Sequence, residues 1–185
     1  MRIDCPEPVT RPVMLQQWRD LTYVHWRFDP AVVRPLLPPG VEVDTFDGSA
    51  WVGLIPFSMR DISLPGLAPV PYFGSFPEVN VRTYVRCDGV PGVWFFSLDV
   101  NRFLPALVAR ATYRLPYCWG SASNTLGGAA VEGGNVEGGT VRAHVSRRWP
   151  DGASTRLAAE NRILRHRAGI LYLRLLSLIV ASKKA

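Results

Sequence analysis

The sequence predicts a single, mainly β domain over residues 1–185. Three observations predict it. Short apolar runs are punctuated by 16 glycines and 16 prolines, which suits many strands and turns better than long helices. Residues Glu78 to Cys87 (EVNVRTYVRC) alternate with the two-residue period of a strand. Two Asp-Gly pairs, Asp47-Gly48 and Asp88-Gly89, each stand between runs rich in aromatic and β-branched residues, a strong hairpin signal.

The elements follow in order. Met1 to Pro12 carries charges and prolines without the apolar stretch of a signal peptide, and residues 1–15 are expected to be extended. Trp18 to Phe28 reads as one strand. Asp29-Pro30 offers an N-cap and a proline at the first helical position, so a short helix is expected over Ala31 to Leu37, ended by Pro38-Pro39-Gly40. Strands are expected at Val41–Phe46 and Ala50–Met59 across the Asp47-Gly48 turn. Ile62 to Pro77, with Pro65, Pro69, Pro71 and Pro77, reads as a long loop, either a functional lid or a segment packed by its own aromatics. Glu78–Cys87 and Val93–Val100 form the next hairpin. Asn101 would cap a helix over Arg102 to Tyr113, whose Leu104, Leu107, Val108 and Ala111 share a face. A strand begins at Leu115–Trp119, glycine doublets at 126–139 link strand ends, and Thr140–Trp149 alternates again. A short helix over Ser154–Arg162, a hairpin near 167–176 and an atypical or disordered tail at 177–185 complete the expectation.

The chain carries a net charge of +6, almost entirely from arginine, because its only lysines are Lys183 and Lys184. Such an excess can mark a nucleic-acid or acidic partner. The arginines run from Arg2 to Arg174 without clustering, which disfavours nucleic acid but keeps an arginine-rich binding module as the alternative function. Cys5, Cys87 and Cys118 form no CxxC pair and read as reduced thiols of a cytoplasmic protein. The apolar run Ala168–Ala181 contains Arg174 and is too short to span a bilayer comfortably, so no membrane role is expected. His25, His144 and His166 lack metal-ligand spacing, no serine sits in a GxSxG elbow, and no phosphate-binding glycine motif is present. Neither metal nor cofactor is expected, and homo-oligomerisation stays open.

The segment Glu78–Cys87 carries the most functional information. One face holds Val79, Val81, Thr83, Val85 and Cys87; the other holds Glu78, Asn80, Arg82, Tyr84 and Arg86. On a half-exposed sheet the second face is simply solvated. In a closed barrel it points inward, where a carboxylate, an amide and a guanidinium converge on one ligand. The guanidinium fork pairs bidentately with a carboxylate, and a buried Glu beside it holds a shifted pKa suited to acid–base work. We expect the inward arrangement, with the small valines packed beneath the helix at 102–113 and Glu78 paired to Arg82.

The run TYVHWRFDPAVVRPLLPPGVEVDTFDGSAWVGLIPFSMRDI, then FPEVNVRTYVRCDGVPGVWFFSLDVNR and ARATYRLPYCW, resembles the YqjF-like family of domain-of-unknown-function proteins over Trp18 to Trp119. That family is similar in fold to acetoacetate decarboxylase, so the resemblance implies an antiparallel β-barrel with a central cavity and a few short helices. The decarboxylases carry a Gly-Arg-Glu-x-x-Gly-x-Pro-Lys-Lys motif whose first lysine forms a Schiff base. In the comparable stretch, Ala109 to Cys118, only Arg110 and Pro116 match, and Tyr117 and Cys118 replace the lysines. A phenol cannot form an imine with a ketone. Glu78 falls where the resemblance places an active-site glutamate. The expected function is binding of a small carboxylate or oxo compound in the barrel cavity. Glu78 and Tyr117 are the candidate acid–base residues, and Asn80, Arg82 and Arg110 the candidate ligand contacts. Whether a reaction is catalysed stays open; if one is, it is non-covalent acid–base chemistry.

Overall fold

The computed structural model describes residues 12–127, 130–132, 135–137, 139–150 and 154–161. The described residues form eleven strands and two α-helices: β1 (Leu15–Arg19), β2 (Val24–Phe28), α1 (Pro30–Val33), β3 (Val41–Val43), β4 (Ala50–Ser63), β5 (Phe76–Cys87), β6 (Val90–Val100), α2 (Phe103–Tyr113), β7 (Tyr117–Gly127), β8 (Ala130–Glu132), β9 (Asn135–Glu137), β10 (Gly139–Trp149) and β11 (Ser154–Asn161). Nine of them form one sheet in the order β1-β4-β5-β6-β7-β10-β11, with β2 also on β4 and β3 on β5; β8 and β9 pair separately.

The mainly β class holds, with two departures from an antiparallel barrel. Strands β6 and β7 run parallel through Leu98–Val100 and Tyr117–Trp119, because α2 carries the chain across between them. Among the described residues no pairing joins the two ends of the sheet. The sheet instead rolls over on itself. Leu54 and Val79 of the β4–β5 pair pack against Ala122, Ala143 and Val145 of β7 and β10. Asn124 on β7 donates its amide to the carbonyls of Phe57 (2.6 Å) and Glu78 (3.2 Å), tying the rolled layers together.

Other elements differ from expectation for identifiable reasons. The single strand expected at 18–28 is two, β1 and β2, both on the same edge of β4. Between them Thr22 N–H donates to the carbonyl of Pro56. In an antiparallel strand a residue's N–H and C=O point the same way, so the donor that Pro56 lacks falls where the ladder breaks. Asp20 takes φ 55° at that break. Asp29 caps α1 as expected, accepting from Ala31 N–H at 2.8 Å, and a 3-10 turn at Arg34–Leu36 follows before the prolines. Asn101 does not cap α2: Arg102 occupies that position without a side-chain cap bond. Ser154–Asn161 is a strand, not a helix, paired with β10 from Gly139 to Ser146. Both Asp-Gly turns have positive φ at both residues (53° and 69°, 50° and 75°), as a type I′ hairpin turn requires. The expected hairpin at 167–176 and tail at 177–185 lie outside the described residues.

The core on the other side of β4–β5 consists of Ile55, Phe57, Met59, Phe76, Val100 and Ala106. Complete burial of side chains such as Ile55 and Phe57 contributes about 1.5–3 kcal/mol each. Ala106 belongs to α2, so the helix packs on this face and not on the Val79 face as the sequence suggested.

Candidate functional site

Three strands set the site by their register. Phe57 of β4, Glu78 of β5 and Val100 of β6 lie in one row; Ile55, Asn80 and Leu98 lie in the next. Tyr117 opens β7 opposite Leu98 and so joins the second row. The third row runs from His25 on β2 through Gly53 to Arg82. A bulge interrupts the β5–β6 ladder between Val81 and Arg82, beside the site. Glu78, Asn80 and Arg82 are therefore neighbours along one face of β5, under the side where α2 packs.

That face is buried. Glu78 is 1% exposed, Asn80 0% and Arg82 9%. Tyr117 is half-buried as a residue, with its hydroxyl turned inward to donate to Glu78 Oε2 at 3.3 Å, a long contact for such a bond. Burial raises the Glu78 carboxyl to about 8, against a lowering by the Tyr117 hydrogen bond and with a further rise from Asp99. At neutral pH the carboxyl is mostly protonated, so it can accept from Tyr117 on one oxygen and still donate its own proton. Burial and the neighbouring Glu78 raise the Tyr117 phenol well above its ordinary value. It stays neutral and acts as a donor.

Asn80 is the least expected feature. Among the described residues neither its amide nitrogen nor its amide oxygen has a hydrogen-bond partner, although both are buried. An unmet buried amide costs about 1–3 kcal/mol per lost partner, so folding alone does not favour asparagine at this position. It lies between Glu78 and Arg82 along β5 and presents an NH2 donor group and a carbonyl acceptor.

The expected Glu78–Arg82 ion pair is not formed. Arg82 turns away from the carboxyl, and its guanidinium lies over the rings of Tyr23 (5.4 Å) and Tyr84 (5.7 Å). Its Nε is buried without a hydrogen-bond partner among the described residues. Arg110 is tied elsewhere: its Nη1 donates to the Tyr117 carbonyl at 3.0 Å and its guanidinium lies over Trp149. It fixes the end of α2 against β7 beneath Tyr117 and holds no free fork toward Glu78. The structure thus brings Glu78, Asn80 and Tyr117 together, sets Arg82 at the far end of the same face, and gives Arg110 a supporting place.

Sequence reasoning missed Tyr23, His25 and Asp99. Asp99 accepts both nitrogens of Arg147 (2.7 and 2.9 Å) and the Ser97 hydroxyl (2.9 Å) on the opposite face, yet its charge reaches Glu78. A usable signal for His25 was Gly53, a glycine inside an apolar strand, which marks close approach by another group. A Cβ there would stand 2.8 Å from His25 Nε2. Among the described residues no group of three or more His, Cys, Asp or Glu side chains could hold a metal ion, and no helix is long and apolar enough to cross a membrane.

The profile of DUF2071, an uncharacterized conserved protein family, matches residues 15–170, which take in every strand that builds the site. The chain belongs to the DUF2071 family. The YqjF protein of Bacillus subtilis (strain 168), itself uncharacterized, is 38% identical over 120 residues, 65% of this chain and 50% of that protein. This DUF2071 chain thus spans half the length of the curated relative it matches. Among solved structures it is similar to acetoacetate decarboxylase from Legionella pneumophila, with TM-score 0.50 and 14% identity, covering 86% of this chain and 72% of that one. It is also similar to the enduracididine biosynthesis enzyme MppR complexed with pyruvate, with TM-score 0.57 and 17% identity, covering 85% and 59%. At these identities the likeness shows the acetoacetate-decarboxylase-like fold and nothing finer.

Proposed function

We propose that this DUF2071 chain binds a small carboxylate or oxo compound on the Glu78–Asn80–Arg82 face. The observation that carries the reading is the Asn80 amide, wholly buried and without a partner among the described residues, next along the face of β5 to the Glu78 carboxyl on one side and to Arg82 on the other. A ligand carbonyl would accept from the Asn80 nitrogen and from the Glu78 carboxyl, while Arg82 supplies positive charge for a carboxylate. Tyr117 holds the Glu78 carboxyl in place. Proton donation to a polarised oxo group is the chemistry this arrangement favours, because the carboxyl keeps its proton near neutrality and the phenol does not ionise. Pyruvate in an MppR structure of the same fold supports a ligand of this size.

Lysine imine chemistry is not part of the reading. Tyr117 stands where the decarboxylase motif has its Schiff-base lysine, and no lysine precedes Lys183. Calorimetric titration with pyruvate, carried out on the full chain and on Asn80→Leu, tests the proposal. Binding should weaken by about tenfold or more in the variant, the worth of one to two hydrogen bonds. Borohydride added to the wild-type mixture should leave the protein mass unchanged. Equal affinities in the two proteins, or a reduced pyruvate adduct, would contradict it.

A further inference from the structure

We propose that Tyr23, His25, Arg82 and Tyr84 form a recognition site for an aromatic carboxylic acid, with the carboxylate on the Arg82 guanidinium and the ligand's ring among the rings of the cluster. The inference rests on the reading above, that this face takes a small carboxylate, and it names the class.

The first ground is the state of Arg82. Among the described residues it forms no ion pair and no hydrogen bond, although it is only 9% exposed. A guanidinium nitrogen removed from water needs an acceptor, and the buried Arg82 Nε has none among the described residues. This chain supplies an anion to the part-buried Arg147, which holds Asp99 with two bonds of 2.7 and 2.9 Å. At Arg82 it supplies only the faces of Tyr23 and Tyr84, which stabilise a cation without occupying its donors. The fork is left for a planar, bidentate acceptor, and a carboxylate is one.

The second ground is the arrangement of rings. Tyr23 and His25 are nearly parallel, 9° apart with centroids at 6.1 Å, and His25 and Tyr84 are 24° apart at 5.7 Å. His25 Nε2 lies 2.8 Å from the Tyr84 hydroxyl, which fixes both rings. Gly53 lets them sit this close, since a Cβ there would meet both His25 and Ile55 at 2.8 Å. Burial and the adjacent Arg82 hold His25 below its ordinary pKa, so it stays a neutral ring beside the cation. Tyr23 is half-exposed, which opens the cluster to solvent at one side. Flat, roughly co-oriented aromatic faces around a free guanidinium favour a flat anion over an aliphatic one.

The test is calorimetric titration of the full chain with benzoate, its neutral analogue benzamide, and acetate, in wild type, Tyr23→Leu and Arg82→Gln. Benzoate should bind about tenfold more tightly than either of the others. Tyr23→Leu, at a half-exposed position, should bring benzoate to within about threefold of acetate; Arg82→Gln should bring it to within about threefold of benzamide. Benzoate should also move the ring-proton resonances of His25. Benzamide binding as tightly as benzoate, or an unchanged benzoate-to-acetate ratio in Tyr23→Leu, would overturn the aromatic-acid site. If pyruvate still binds in an Asn80-dependent way in that case, the broader reading of the face stands; if nothing binds, both fall.

Discussion

A buried polar side chain is informative in proportion to how badly it is partnered, and β5 offers a graded series. Thr83 is fully buried but donates its hydroxyl to the Trp51 carbonyl at 2.9 Å, so it is accounted for by the fold. Glu78 has one long bond from Tyr117 and keeps its proton. Among the described residues Asn80 has none, and Arg82 has only ring faces. Glu78 and Arg82 share no hydrogen bond or ion pair, so their effects on stability should be independent. A double-mutant cycle of Glu78→Gln and Arg82→Ala by denaturant melts should give a coupling below about 0.5 kcal/mol, the range for residues without shared partners. A coupling of several kcal/mol would mean that the two groups form the buried ion pair that their spacing on β5 first suggested.

At the scale of elements, what could be read in the sequence was what local chemistry decides. The Asp29-Pro30 cap, the two Asp-Gly turns, the alternation of Glu78–Cys87 and the helix after Arg102 all depend on residues close together in the chain. What could not be read depends on pairing between distant segments. Ser154–Asn161 carries residues that suit a helix, and it is a strand because eight register pairs with β10 outweigh propensity. The side of β4–β5 that α2 covers, and hence why Glu78 is buried, follows from the roll of the sheet. Candidate residues on one strand could be named together, whereas His25 reaches the site only through a three-strand row. That roll has a tight point at Gly120 on β7, where a Cβ would run into the backbone of Ser146 and Arg147 on β10, next to the irregularity in their register. Gly120→Ala should therefore destabilise by about 1–3 kcal/mol, the usual cost of overpacking, as measured by thermal or denaturant unfolding. A neutral result would mean that β7 and β10 separate there at little cost.

For the molecule as a whole, the buried carboxyl couples folding to pH. The folded state holds the Glu78 proton until about pH 8, whereas the unfolded chain releases it near the ordinary value of 4.5. Folding is therefore favoured by this group below about pH 4.5, and that contribution is lost as pH rises toward 8. The full span is worth about 3–5 kcal/mol. Glu78→Gln, which mimics the protonated carboxyl, should flatten the stability profile across that window and be the more stable protein at pH 8; an unchanged slope would place the titration elsewhere. The central claim is that this face is kept for a ligand at the expense of stability. Denaturant unfolding of Asn80→Leu tests it most directly. Leucine has nearly the same shape and no unmet hydrogen bonds, so the account predicts a gain of about 1–3 kcal/mol over wild type. A loss of stability would contradict it, showing that the Asn80 amide holds the core together rather than waiting for a ligand.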